Sequence, residues 1–439
     1  MAGRLSSGRS SFTVSVFTRR CARFCFSRTL PLTYAALLLP TGESHNRLVD
    51  LVRHGLDGKP TASVVELEWP NYYYFGKEGT MVHAEAADEE EDVAAMHEAF
   101  EELGEEEEAA KLPEKSLLQF FVSKGLSSRV LDLADAIFAN DYGADASDVG
   151  LHEVIHEQRC WNHGEKYLVL RDACIHDAMT TLAKGIDVRT DWPVDTIRVS
   201  PQASTPAATR VLLTNASGRS VAAGAAIVTV PLAALQAGEV RFEPPLPSPH
   251  ASAIGALRMG SALKVVVRLR ERFWPLDFYD AVCSDCFFPE VWLSQAAKLM
   301  DPACPPPYAI VGFVAGARAE RVAKLPEREI VRKLLLQLDT MFGTADRPHP
   351  ASDSCEAYLV KDWKPHPRTH GAYSHPTLRA NGQRAALGST AHSAILFAGE
   401  ASHQGVNPCV HGAMETGELA AERASALLKA ERSGARSRL

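Results

Sequence analysis

Residues Leu396–Ala424, LFAGEASHQGVNPCVHGAMETGELAAERA, set a carboxylate and a helix N-terminus at the end of one apolar strand. That pairing suits the anionic or electron-rich edge of a cofactor. Ala394–Ala398 reads as a short buried strand, Gly399 lets the backbone pass close to a neighbour, and Glu400 supplies one acceptor at the strand's end. Pro408 opens a helix whose first free N–H groups, near Val410 and His411, point outward with the positive end of the dipole. Gly412, Ala413, Gly417, Ala420, Ala421 and Ala424 keep that helix thin. On helix pattern alone, however, the segment reads better as an ordinary Ala-rich core helix.

Two further groups carry reactive atoms. Lys264 lies in GSALKVVVRLR, a strand with Leu263, Val265, Val267 and Leu269 on one face and Ala262, Val266 and Arg268 beside the lysine on the other. Taken by itself, this pattern makes Lys264 a solvent-facing or edge residue. Cys283-Ser-Asp-Cys286 has the spacing of metal ligands, but no second CxxC or His pair follows at a useful distance. Two incidental thiols are the better reading. The nine Cys are odd in number and dispersed, as expected of reduced thiols in an intracellular protein.

The elements that must position these groups come from a chain of 439 residues, long enough for two domains. Its 46% hydrophobic and 23% charged residues are those of a soluble globular protein. A net charge of −8 argues against nucleic-acid binding and mildly favours cationic ligands, and no apolar run is long enough to span a membrane. Ser63–Glu68 and Tyr72–Phe75 read as strands, with a turn at Lys77–Thr80. Val93, Met96, Phe100 and Leu103 recur at helical spacing within the acidic stretch Glu85–Glu108, which predicts a solvated amphipathic helix running into an acidic loop. Leu117–Phe121 and Val130–Ala139 continue a mostly helical layer. Beyond it, Tyr167–Leu170, Ile186–Arg189, Val194–Val199, Arg210–Thr214 and Ala225–Val230 read as strands, with a helix over Ala173–Ala183 and a turn at Ser217-Gly218. Pro231 ends that run, because a ladder position there lacks its N–H.

Several of these segments resemble the flavin-containing amine oxidases, and in wording they are closest to plant-type intracellular polyamine oxidases. FAGE and VHGA stand nine residues apart, as in that family, and LAKGIDVRTDWPVDTI, AIVTVPLAALQ and FEPPLP match in order and spacing. GSALKVVVRLRERFWP resembles the family's lysine strand, and GAYS its GSYS turn. The resemblance runs over residues 60–430, patchily before Tyr167. It implies FAD, with Glu400 at the ribityl–pyrophosphate region, Gly399 beside it, and the backbone of Val410 at the flavin O2 edge. Val194 would offer backbone contacts to the adenine, and Pro231 would shape a cofactor-domain strand. Lys264 would reach the flavin N5 through a water, Tyr373 would wall the site and steer an amine, and Trp363, before it in the chain, would contact the cofactor. Cys409 stands where monoamine-type members carry a second aromatic, which shifts the expectation toward polyamines. The implied reaction passes hydride from a carbon next to nitrogen to the flavin, hydrolyses the imine to an aldehyde, and returns the electrons to O2 as peroxide.

The implied fold is a mixed α/β and α+β one: an incomplete, Rossmann-like three-layer FAD-binding domain joined to a substrate domain of mixed sheet and helices. By position, residues 61–165 and 236–355 fall to the substrate domain, 166–235 and 356–430 to the FAD-binding one, and 431–439 to a tail. The family's opening strand–GxGxxG–helix unit has no counterpart in this sequence; residues 1–60, rich in Arg and Ser, stand in its place. A second expectation is therefore a truncated or inactive amine-oxidase-like protein serving at most as a binding module. The basic head, free of acidic residues from Met1 to Gly42, resembles a mitochondrial or plastid transit peptide. Ser437-Arg438-Leu439 resembles a peroxisomal address and is preferred, because peroxide production suits that compartment.

Overall fold

A computed structural model describes residues 37–39, 46–55, 58–105, 113–161, 166–171, 173–200, 210–406 and 408–436. Most of the basic head and the Ser437–Leu439 tail lie outside the described residues, as do residues 106–112, which include the end of the acidic stretch.

The chain opens with β1 (Leu37–Leu39), α1 (Arg47–His54), β2 (Ser63–Leu67) and the hairpin of β3 (Tyr72–Phe75) and β4 (Thr80–His83). Helices follow: α2 (Ala84–Ala87), α3 (Glu91–Glu105), α4 (Leu117–Ser123), α5 (Ser128–Ala134) and α6 (Leu151–Cys160). Between α5 and α6 the backbone passes through a π turn, Asp135–Ala139, and a 3-10 turn, Asn140–Tyr142. α3 forms because Val93, Met96 and Leu103 share one buried face while its carboxylates stay outside. Ser116 starts α4 by a reciprocal cap with Gln119.

The middle of the chain runs β5 (Lys166–Arg171), α7 (Ile175–Leu182), β6 (Val194–Val199), β7 (Val211–Asn215), β8 (Ser220–Ala223), β9 (Ala226–Val228), α8 (Leu232–Gln236), β10 (Arg241–Glu243) and α9 (Ser248–Ala256). Ile186–Arg189 is not a strand. It finds no neighbour to pair with among the described residues, Ile186 is exposed, and Arg189 bonds back to Asp187. The Ser217-Gly218 turn joins β7 to β8, a short Ser/Ala-rich strand without apolar alternation. Asn215 closes the turn, its side-chain oxygen accepting from the N–H groups of Ser217 and Arg219.

Next come β11 (Arg258–Met259), β12 (Ala262–Leu269), β13 (Asp280–Ser284), β14 (Glu290–Leu293), α10 (Ala296–Leu299), β15 (Tyr308–Ala315), α11 (Gly316–Val322), α12 (Glu327–Phe342), α13 (Pro350–Ser354) and β16 (Cys355–Asp362). The chain ends in β17 (Ser374–His375), α14 (Gln383–Leu387), β18 (Ile395–Phe397) and the long α15 (Val410–Arg436).

One seven-stranded sheet dominates, in the order β16-β12-β15-β14-β13-β3-β4. Its strands alternate between two interiors. Leu263, Val265, Val267, Val291, Leu293 and Ile310 form one core with Ile330, Leu334 and Leu338 of α12. Tyr73, Phe75 and Val282 face the helical layer α2–α6. A second region combines the sheet β10-β6-β7-β8 with the parallel pair β18-β9, sharing the core of Ile197, Leu213, Val228, Ile395 and Phe397. β5 pairs with β1 and β2 in a smaller sheet. The short pair β11–β17 bridges to the seven-stranded sheet, since β12 follows β11 directly.

At that bridge Gly260 donates its N–H to the Tyr373 carbonyl at 2.7 Å and accepts from the Ala372 N–H at 2.9 Å. A Cβ on Gly260 would stand 2.4 Å from the Gly143 carbonyl oxygen, so only hydrogen fits. Gly260→Ala is expected to cost about 1–3 kcal/mol, read as a lower urea midpoint at an unchanged slope.

Candidate active site

β12 is an interior strand, and that overturns the edge or solvent-facing expectation for Lys264. Its Cα partners are Phe313 on β15 and Lys361 on β16. The face it shares carries buried Ala262, Phe313 and Ala315, with Trp292, Trp363, Ala372 and Tyr373 packed against them. The Lys264 ammonium stands 5.1 Å from the ring centroids of both Trp292 and Phe313. Burial lowers its pKa below the ordinary 10.5, and the field of Glu290 opposes that shift.

The structure thus brings Lys264, Trp363 and Tyr373 into one cluster. Tyr373 donates its hydroxyl to the backbone carbonyl of Asn140 at 3.2 Å, and the Asn140 amide donates to a Glu290 carboxyl oxygen. Burial pushes the Tyr373 hydroxyl well above its usual range, with Asp141 and Glu290 adding to it. Asp141, in the 3-10 turn, is pushed up to about 7 by desolvation. The Cys409 thiol is raised chiefly by burial, and its charged form would act on Tyr373.

The cofactor-type strand β18 pairs in parallel with β9, Ile395 opposite Ala226 and Phe397 opposite Val228. Gly399 then takes φ +131°, a conformation that L side chains rarely adopt, and a Cβ there would meet nothing within 4 Å. The glycine is therefore required by backbone conformation beside open space, rather than by contact with the chain's own atoms. Its N–H donates to Thr416 of α15 at 2.9 Å.

Glu400 accepts twice from Ser374, from the N–H at 3.2 Å and from the hydroxyl at 2.5 Å. Because Ser374 follows Tyr373 directly, this pair ties the end of β18 to the aromatic wall. Behind it lies Arg384, 1% exposed. Its Nη1 donates to the Ser374 hydroxyl at 2.9 Å and to the Glu400 carbonyl at 3.4 Å, and its Nε lies 3.8 Å from Glu153 of α6. Arg384 Nη2 is buried without a protein partner.

Val410 begins α15, with Cys409 immediately before it, and its side chain packs on the cluster of α1, α7 and β5. Val194 opens β6 and shares a core with Phe397. Pro231 caps α8 three residues after β9 ends, its carbonyl accepting from the Ala234 N–H. These three lie outside the aromatic cluster of Lys264. Glu290, Asn140, Arg384 and Ser374 are not singled out by sequence pattern. For Glu290 one signal exists: a lone carboxylate opening β14, between Phe287-Phe288-Pro289 and Val291-Trp292-Leu293.

A desolvated lysine on an aromatic sheet face, tied through Ser374 to the end of a parallel strand, sits in a mixed α/β fold of parallel and antiparallel sheets. The chain belongs to the family described as Flavin containing amine oxidoreductase, whose profile matches residues 31–425. Among curated relatives it is 26% identical over 370 residues to Polyamine oxidase 4 of Oryza sativa subsp. japonica, covering 80% of this chain and 69% of that protein. It is 31% identical over 283 residues to the Peroxisomal N(1)-acetyl-spermine/spermidine oxidase of Bos taurus, covering 59% of this chain and 53% of that protein. It spans 56% of Polyamine oxidase 2 of Arabidopsis thaliana. Among solved structures, the Cyclohexylamine Oxidase from Brevibacterium oxydans IH-35A shares its fold, with a TM-score of 0.71 at 18% identity over 91% of this chain and 88% of that one. A Putrescine Oxidase bound to putrescine gives a TM-score of 0.71 at 16% identity, over 86% and 85%.

FAD is the cofactor that family membership brings. The open side of Gly399 and the unpartnered, buried Arg384 Nη2 behind Glu400 fit an extended, anionic ligand at the end of β18. Among the described residues no helix is long and apolar enough to cross a membrane.

Two outcomes follow from these burials. Arg384→Met leaves Glu153 buried without its cation and is expected to cost about 3–5 kcal/mol, measured by chemical unfolding. For Lys264 the unfolded chain keeps its proton up to 10.5 while the folded chain loses it earlier. Between those two values the unfolded state binds more protons, so stability rises with pH through that window. Lys264→Met removes the penalty; the variant is expected to be more stable than the parent at pH 7, the gap closing toward pH 10.5 in urea titrations.

Proposed function

We propose that this chain oxidises amines at a carbon next to nitrogen, with polyamines as substrates and O2 as the electron acceptor. The observation that carries this reading is the wall formed by Phe313, Trp363 and Tyr373 around Lys264, joined through Ser374 to Glu400. Names of relatives point the same way, since two of them are oxidases of polyamines or their acetylated forms.

Bound FAD would supply a two-electron acceptor and pass its electrons to O2, giving peroxide, while the imine product hydrolyses to an aldehyde. The chain's own residues do the rest. Glu400, Gly399, the N–H groups opening α15 at Val410, Val194 and the strand end shaped by Pro231 would hold the cofactor. Tyr373 would orient the amine by its face and exclude water, Trp363 would contact the cofactor, and the thiol of Cys409 leaves room where a second ring would stand. Lys264, desolvated, would hold a water beside the reacting carbon and manage its proton. The seven-stranded sheet with its helical layer would serve the substrate, and β6–β10 with β18 the cofactor. Ser437-Arg438-Leu439 would direct the protein to peroxisomes, a location that the bovine relative's name shares.

Purification in the presence of FAD should yield flavin absorbance, with peroxide release from spermine or spermidine exceeding that from benzylamine. Lack of bound flavin after incubation with FAD would sink the catalytic reading and leave a binding module. Lys264→Met is expected to slow turnover while flavin occupancy persists, whereas Glu400→Gln should lower occupancy; absorbance ratios and single-turnover rates separate the two.

A further inference from the structure

Lys264 has a carboxyl counterpart on its own sheet face. The cross-strand row runs Val282 on β13, Glu290 on β14, Phe313 on β15 and Lys264 on β12, each the Cα partner of the next. Adjacent strands lie about 4.8 Å apart, so the Lys264 and Glu290 backbones are about 10 Å apart with a single aromatic ring between them. Both long side chains lie on one face of the sheet, over Phe313.

Glu290 is also built in. It is 7% exposed, and one of its oxygens takes the Asn140 amide hydrogen. The same Asn140 carries, on its carbonyl, the hydroxyl of Tyr373. Glu290 therefore belongs to the site by a chain of hydrogen bonds, independently of its charge.

We propose that Glu290 is a positioning residue that tunes the charge of Lys264: an ionised Glu290 holds the Lys264 proton more tightly, and a neutral Glu290 lets it go more readily. The two groups act on one another through the field across Phe313, and each exchanges its own proton with solvent, with no other bond changed. The proposed role of Lys264 in amine oxidation gives this its consequence, but the coupling itself stands on the row.

The surroundings decide its direction. Lys264 faces Glu290 on β14, the rings of Trp292, Phe313, Trp363 and Tyr373, and Lys361, its β16 partner, whose ammonium stands 4.9 Å over Trp363. Glu290 faces Asp141 from the 3-10 turn and Asp280 from β13, both of which oppose its ionisation; Asn140 and Lys264 favour it. Tyr167 of β5, Tyr373 and Cys283 also feel its charge. Burial raises Glu290 and lowers Lys264, bringing the two titrations toward one another. An ionised Asp141 thus favours the neutral form of Glu290 and, through it, weakens the hold on the Lys264 proton.

The test reads Lys264 directly. In the full chain labelled with 13C at the lysine ε-carbon, the Lys264 resonance is assigned by its loss in Lys264→Met, and its pH titration is followed. Glu290→Gln keeps the shape and the Asn140 contact; it should lower the Lys264 midpoint by about one pH unit. Asp141→Asn should raise it, because Glu290 then ionises more readily. Opposite signs support the coupling. A general loosening of the site would admit water and move both midpoints up toward 10.5, and that result, or an unchanged midpoint in Glu290→Gln, overturns the proposal. Turnover separates this inference from the proposed activity. If the midpoints shift as expected but the protein oxidises no amine, the coupling holds and the activity fails; oxidation with an unshifted Glu290→Gln midpoint removes the coupling alone.

Discussion

A buried guanidinium holds the two parts of this protein in register. Arg384 touches the helical layer through Glu153 and the end of the parallel strand through Ser374 and the Glu400 carbonyl. Burying such a cation costs several kcal/mol unless anions and acceptors surround it. Here the carboxylate comes from α6 and the acceptors from β17 and the Glu400 turn, so the partners Arg384 does have are present only when all three elements are in place. The position of Tyr373 follows, since its neighbour Ser374 is the hinge of that contact.

The aromatic sheet face is governed by a contest of similar kind. Two rings near the Lys264 ammonium offer about 0.5–2 kcal/mol of cation–π attraction each, less than the cost of removing an ammonium from water. Desolvation wins, and Lys264 titrates below an ordinary lysine. Glu290 across Phe313 is the group that moderates the outcome. A sheet that is otherwise a hydrophobic partition thereby carries two ionisable groups whose charges depend on one another.

Some of this was legible from residue order. The strand Ile395–Phe397, the glycine after it, the helix opening at Val410 and the amphipathic α3 each follow from local pattern. Resemblance placed Lys264 and Tyr373 in one site, and the sheet brings them together. Other parts were not legible. Ile186–Arg189 has strand-forming residues but no partner, and β8 has a partner but little strand character, because pairing is decided by neighbours distant in sequence. Glu290 and Lys264 are twenty-six positions apart on strands that do not touch, and only the β15 register between them makes them neighbours.

Sequence by itself determined the family, the periodicities that build each helix and strand, and the local chemistry of the strand-to-helix junction. These are short-range properties: side-chain period, backbone conformational freedom and the missing N–H of proline act within a few residues. Tertiary structure decided which groups are buried and what they face. It moved Lys264 from an edge to an interior strand, engaged Glu400 with Ser374, and put Glu290 and Arg384 at the site. The physical reason is that desolvation and charge coupling depend on spatial distance, and strand register sets that distance with no trace in the order of residues along either strand.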